Sequence, residues 1–159
     1  MLNRHKPEVI VINHASQDHA KARITGRFLA FLAAAVCLVV TIRVWMIVSA
    51  QQALWPIPGA YLIEMLALSL LAALTIQPGS PLPVALPGIA CGGLFAFSVL
   101  ASFSVGLFYL PVALLILIAG LLFTLSTRRS LFIFLAWTAA AVVIQSGIIL
   151  AAINILYPN

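Results

Sequence analysis

From Val84 to Leu125 the chain carries no charged residue, a run that as a single helix would extend about 63 Å, twice the ~30 Å hydrocarbon thickness of a bilayer. Such a run has to fold back. The segment SFSVG (Ser102 to Gly106) supplies the reversal, because small residues and a glycine allow a tight turn. Pro111 then falls in the first turns of the next helix, where its missing N–H costs little. The same length test applied to the rest of the chain predicts apolar helices over about 28–49, 59–76, 84–102, 105–125 and 131–156. The Pro/Gly/Ser-rich stretch QPGSPLP (Gln77 to Pro83) separates the second from the third.

Composition agrees with lipid as the solvent. Hydrophobic residues make up 64% of the chain and charged residues only 7%, against about 25% charged in soluble domains; the mean hydropathy is +1.20. The expected fold is all-α, a polytopic membrane bundle of five transmembrane helices over residues 28–159, preceded by a basic polar segment, 1–27.

The cations place the two faces of that bundle. Arg4, Lys6, Lys21, Arg23 and Arg27 precede the first apolar window, and Arg128 and Arg129 lie between the fourth and fifth. With five spans and a cytoplasmic amino terminus, every loop cation falls on the inner side, as the positive-inside rule requires, and the carboxyl terminus lies outside. A four-span chain would leave Arg128 and Arg129 outside. The expected location is the plasma membrane, with Lys21, Arg23, Arg27, Arg128 and Arg129 against its anionic inner leaflet. The net charge of +5 is thus a topology signal and does not point to nucleic acid. Val48-Ser49-Ala50 has the small-residue character of a signal-peptidase site, but the long polar lead and the late Arg43 argue against cleavage. Trp45, Trp55, Tyr61, Tyr109 and Tyr157 all fall near the expected outer interface, where amphipathic rings anchor.

The amino-terminal segment contains one β-prone run, EVIVI (Glu8 to Ile12), a candidate strand or docking peptide. His5, His14, Asp18 and His19 match no ligand spacing, so no metal site is expected. Cys37 and Cys91 sit inside apolar windows and read as small packing residues.

Helices in lipid associate through close packing of small residues. The chain offers Ala30, Ala33, Ala34 and Cys37 in the first span, Ser69 and Ala73 in the second, and Gly88, Gly92 and Gly93 in the third, with Ala136, Ala140 and Gly147 in the fifth. The GxxxG spacing of Gly88 and Gly92 is expected to serve packing within the chain. The fourth span, LPVALLILIAGLLFTL, has the fewest small residues and is expected to face lipid or a partner.

Two charges fall inside apolar windows, Arg43 and Glu64. Counted from the expected membrane edges, Arg43 lies about 22 Å and Glu64 about 21 Å above the inner face, and Ser98 and Gln145 reach about 21 Å on the same count. These four residues form a candidate intramembrane polar layer. Its preferred reading is structural, an Arg43–Glu64 ion pair clamping the first hairpin with Ser98 and Gln145 satisfying what remains. The alternative is a small outward-facing binding cavity, since ionisable residues in spans are functional candidates.

No catalytic constellation is expected. The spans hold no histidine for a haem, and HExxH, GxSxG, CxxC and a phosphate-binding glycine loop are missing from the sequence, so neither an enzyme nor a cofactor is expected. The leading expectation is a non-enzymatic accessory or scaffold subunit that meets other membrane proteins or lipid. The alternative is a small-solute, ion or lipid-headgroup binding or transport protein that uses the polar layer.

Overall fold

The computed structural model describes residues 8–50, 57–77, 85–101, 105–127 and 130–156, with side chains for all of these except 8–16, 18–19, 57–58 and 156. Five α-helices follow one another: α1 (Glu8–Ala50), α2 (Ile57–Thr75), α3 (Ala85–Leu100), α4 (Leu110–Ser126) and α5 (Leu131–Leu156). A 3-10 turn, Gly106–Tyr109, leads directly into α4. The all-helical expectation holds, and no strand occurs among the described residues. Three apolar stretches, Ala20–Ala50, Gly106–Ser126 and Leu131–Ile155, are long enough to cross a membrane, whereas Gly59–Thr75 and Ala85–Leu100 are shorter.

The EVIVI run is not a strand. Glu8 to Ile12 form the first turns of α1. The reason is energetic: β-branched residues lose only a few tenths of a kcal/mol in a helix, whereas a lone strand has no edge on which to satisfy its backbone. α1 is continuous for 43 residues, through residue 27 and through Val48 to Ala50. At its lower end it already touches α4, for a Cβ on Gly26 would stand 3.1 Å from the Ala119 carbonyl oxygen.

The reversal between α3 and α4 falls where the chain's small residues predict it. α3 ends at Leu100, the Gly106 N–H bonds the Ala101 carbonyl at 2.7 Å, and Pro111 occupies the first turn of α4. Residues 102–104 of the expected turn lie outside the described residues.

α1, α2, α3 and α4 close a ring, each packing on the next, with α1 against α4 its most extensive side. α5 lies along α3 and only brushes α4. The α3–α5 contact is close because it is built on glycine. A Cβ on Gly88 would sit 2.9 Å from the Phe134 carbonyl, and one on Gly92 would collide with the Thr138 carbonyl and come within 2.7 Å of the Ala141 Cβ. The GxxxG spacing therefore serves a contact inside the chain. Removing both Cβ atoms lets the two backbones approach, which is how dispersion and packing hold helices together where water supplies no drive.

Three packing expectations are corrected. α4 is not the outward helix: Val112, Ala113, Ile116, Ala119, Gly120 and Phe123 are buried, and the Phe134 ring lies against Gly120. A low number of small residues is a poor guide because one stripe is enough, and Ala113, Ile116 and Gly120 fall on one stripe. α5 is instead the most open, with 22% of its apolar stretch buried against 44% for α4. Its expected packing residues Ala136, Ala140 and Gly147 face outward; Phe134, Ala141, Gln145 and Ile149 face inward. In α1, α2 and α3 the expected small residues are the buried ones.

Tyr109 is the third correction. It is fully buried rather than interfacial, with its hydroxyl 3.0 Å from Thr41 Oγ1 and its ring edge-on to Phe97 at 5.6 Å. Trp55 and Tyr157 lie outside the described residues. Cys37 and Cys91 are buried and unpaired, and Cys37 directs its thiol at the Met65 carbonyl at 3.6 Å.

Replacing Gly92 by leucine should push α3 from α5 and cost about 1–3 kcal/mol, the usual scale of overpacking. Gly147→Ala, with nothing within 4 Å of the new methyl, should leave stability unchanged or raised. Reversible unfolding of both variants in mild detergent checks the contrast.

Candidate functional site

The four residues of the expected polar layer do not form one cluster. Gln145 and Glu64 are brought together, with the amide Nε2 donating to the carboxyl Oε1 at 2.6 Å. Ser98 is buried but spends its hydroxyl on its own helix, donating to the Leu94 carbonyl at 2.7 Å. Arg43 is exposed. It shares its side of α1 with the exposed Ile42, Met46 and Ile47, while Thr41 and Val44 turn into the core.

The Arg43–Glu64 ion pair is therefore not made. Its physical reason is angular: level height on adjacent helices does not bring side chains together unless both face the shared seam. Thr41 and Val44 occupy the buried stripe of α1, and a residue two positions after Thr41 and one before Val44 falls on the opposite side of a 3.6-residue turn. A long cationic side chain there extends its guanidinium toward the helix end while its methylenes cover apolar surface.

Glu64 and Gln145 come from helices whose backbones are not neighbours. Among the described residues no Cα of α2 lies within 8 Å of a Cα of α5. Both helices flank α3, so the hydrogen bond crosses a cleft whose floor is α3. Two cavities lie near the bond, one walled in part by Gln145 itself and one beyond it, between Tyr61 and Ile149. One turn inward, Leu68 and Ala141 line a cavity of about 140 Å³ together with Ile89, Gly93, Trp137, Ile144 and Gln145 itself. One turn outward, Tyr61 and Ile149 line a cavity of about 260 Å³ that reaches Val44, Phe97, Leu100 and Ile153. Gly93 keeps the inner cavity's floor low, since a Cβ there would stand 2.7 Å from Leu68 Cδ1.

The arrangement has clear chemical limits. Its polar groups are one carboxyl, one carboxamide and the hydroxyl of Tyr61 at the outer cavity, set in otherwise apolar walls. Glu64 Oε2 and Gln145 Oε1 take no hydrogen bond from a described residue, so two acceptors remain open beside the Gln145 amide's second N–H. Among the described residues no group of three His, Cys, Asp or Glu side chains could hold a metal ion; the side chains of His5, His14 and His19 are outside them.

Comparison with family models, with curated proteins and with solved structures finds no match to the chain. What the site does has to be argued from its own geometry.

The sequence identified both partners of the bridge but missed its walls. The signal was present in α5: Trp137, Ala141, Gln145 and Ile149 recur every four residues, a stripe with the glutamine as its only polar member. What the stripe faces could not be read from spacing. Arg43→Gln should leave stability within about 0.5 kcal/mol of wild type, as for an exposed side chain. Gln145→Leu should cost about 1–2 kcal/mol by leaving the carboxyl without its donor. Unfolding midpoints of the two variants decide between this bridge and an Arg43 clamp.

Proposed function

We propose that this chain is a small multi-pass protein of the plasma membrane, of non-enzymatic type, that binds a small apolar molecule with a polar end in the α2–α5 cleft. The observation that carries the reading is the Glu64–Gln145 bond, which joins two helices whose backbones are not neighbours and lies beside a cavity that Gln145 helps to line.

All five helices span the bilayer in this reading, with the short α2 and α3 tolerated by local thinning of the lipid. Lys21, Arg23 and Arg27 lie on the cytoplasmic side with Arg128 and Arg129, next to anionic headgroups. Arg27 supports that position, its guanidinium resting 5.6 Å over the Phe31 ring at the start of the apolar stretch.

A second reading, an accessory or scaffold subunit, draws on α5. Phe132, Val143 and Ile155 are more than 70% exposed, and this open face would suit another membrane protein as well as lipid. A stable larger assembly after mild-detergent extraction would favour it.

Two measurements test the proposal. In a variant with Cys37 and Cys91 replaced by alanine, a membrane-impermeant maleimide should label Ser49→Cys in intact cells and Ser130→Cys only after lysis; the reverse pattern would overturn the topology. In phosphatidylcholine nanodiscs, benzyl alcohol should raise the unfolding temperature of wild type and should not do so in Ile89→Trp, which fills the inner cavity. Equal behaviour of the two proteins would overturn the cleft as a binding site.

A further inference from the structure

Of the three acidic residues, Glu64 alone lies in an apolar stretch, Glu8 and Asp18 belonging to the polar start of α1, and the cation the sequence sets level with it, Arg43, turns to the opposite side of α1. Its one partner is a neutral amide. The remaining described cations, Lys21, Arg23 and Arg27, sit toward the far end of α1, where even Arg27 is about 15 Å of helix rise below Cys37, the residue whose thiol meets the Met65 carbonyl next to Glu64. A carboxylate held in apolar surroundings with no opposite charge is costly, and a cation brought to it recovers part of that cost.

The open valences point the same way. Glu64 Oε2 and Gln145 Oε1 are both acceptors, so an occupant that donates hydrogen bonds satisfies both, and an anion would meet the carboxyl group head on. Trp137 in the wall of the inner cavity adds an aromatic face, a further surface that attracts cations.

Size limits the occupant's apolar part. The inner cavity of about 140 Å³ is close to the ~150 Å³ apolar cavity that admits a benzene molecule, and a helix with its side chains, about 10–12 Å across, cannot enter a space of that volume. That cavity is therefore too small for a helix and large enough for one ring or a short alkyl chain.

We propose that the α2–α5 cleft binds a small apolar cation, an organic ammonium whose charged end sits on Glu64 and Gln145 and whose apolar end fills the cavity over Gly93. The assignment rests on the reading of this cleft as a binding site and adds the charge of the ligand to it. Gln145 acts here as the residue that orients the carboxyl group toward the cleft, while Glu64 supplies the charge.

Benzylammonium and benzyl alcohol differ at the head and match in the ring, so the pair isolates the charge. In zwitterionic phosphatidylcholine nanodiscs, which give the cation no anionic lipid to bind, both are titrated against the unfolding temperature of the wild-type protein, because a ligand of the native state must raise it. The expected result is an apparent Kd at least ten-fold lower for benzylammonium. The preference should shrink to less than two-fold in Glu64→Gln and persist in Glu64→Asp. Equal affinities in the wild type would overturn the cation assignment while leaving the binding site standing, a result that does not depend on either variant folding. Preference retained in Glu64→Gln would overturn the role of Glu64. Absence of any shift with both compounds would remove the site and the assignment together.

Discussion

The close approach of α3 to α5 at Gly88 and Gly92 is the contact on which the rest of the site depends. With two Cβ atoms absent, the α5 backbone lies directly on α3 at Phe134 and Thr138. This fixes the rotation of α5, and with it the direction of every residue at a four-residue interval along it: Ala141, Gln145 and Ile149 face back over α3. Because α2 packs on α3 from the other side, Gln145 is carried across the floor of a cleft to reach Glu64 at 2.6 Å. A bulkier α3 would lift α5 and break that reach.

The bridge and the cavities are consequences of one geometric fact. The backbones of α2 and α5 both pack on α3 and not on each other, and two long polar side chains bridge the space between them. Above and below, shorter residues leave volume. In lipid a hydrogen bond of this kind is worth about 0.6 kcal/mol on average and seldom above 2, too little to dominate the fold. Its importance lies in where it leaves a carboxyl group: in apolar surroundings, bonded on one oxygen to an amide that itself lines a cavity.

The core of the ring borders the outer cavity at Val44, Leu62 and Phe97 and is more conventional. Thr41, Cys37 and Tyr109 share one buried polar patch where α1 meets α2 and the 3-10 turn, every hydroxyl and thiol directed at a neighbour. Around them Leu62, Met65, Leu94 and Ile116 exclude space. Here polar atoms are satisfied within the ring, as they must be where neither water nor lipid can hydrogen-bond them. The contrast with Glu64, whose second oxygen has no described partner, is what marks the cleft as different from the core.

Residue type and spacing alone determined the number of helices and most of their ends, because hydrophobic length and the placing of Gly, Pro and Ser are local quantities; the start of α1 at Glu8, twenty residues before its apolar window, was missed. They also identified Gly88 and Gly92 as a packing pair and brought Glu64, Ser98 and Gln145 to one height, since rise per residue is constant. They could not assign faces. The choice of α4 as the outward helix and of Arg43 as the partner of Glu64 both failed for this reason: counting along a helix gives height, but the azimuth at which a residue meets its neighbour depends on which helices pack and at what rotation. Tertiary structure decided that α5 is the open helix, that Arg43 looks away from the bundle, that Ser98 bonds its own backbone, and that the carboxyl group of Glu64 meets an amide from the other end of the chain instead of a cation from the adjacent helix.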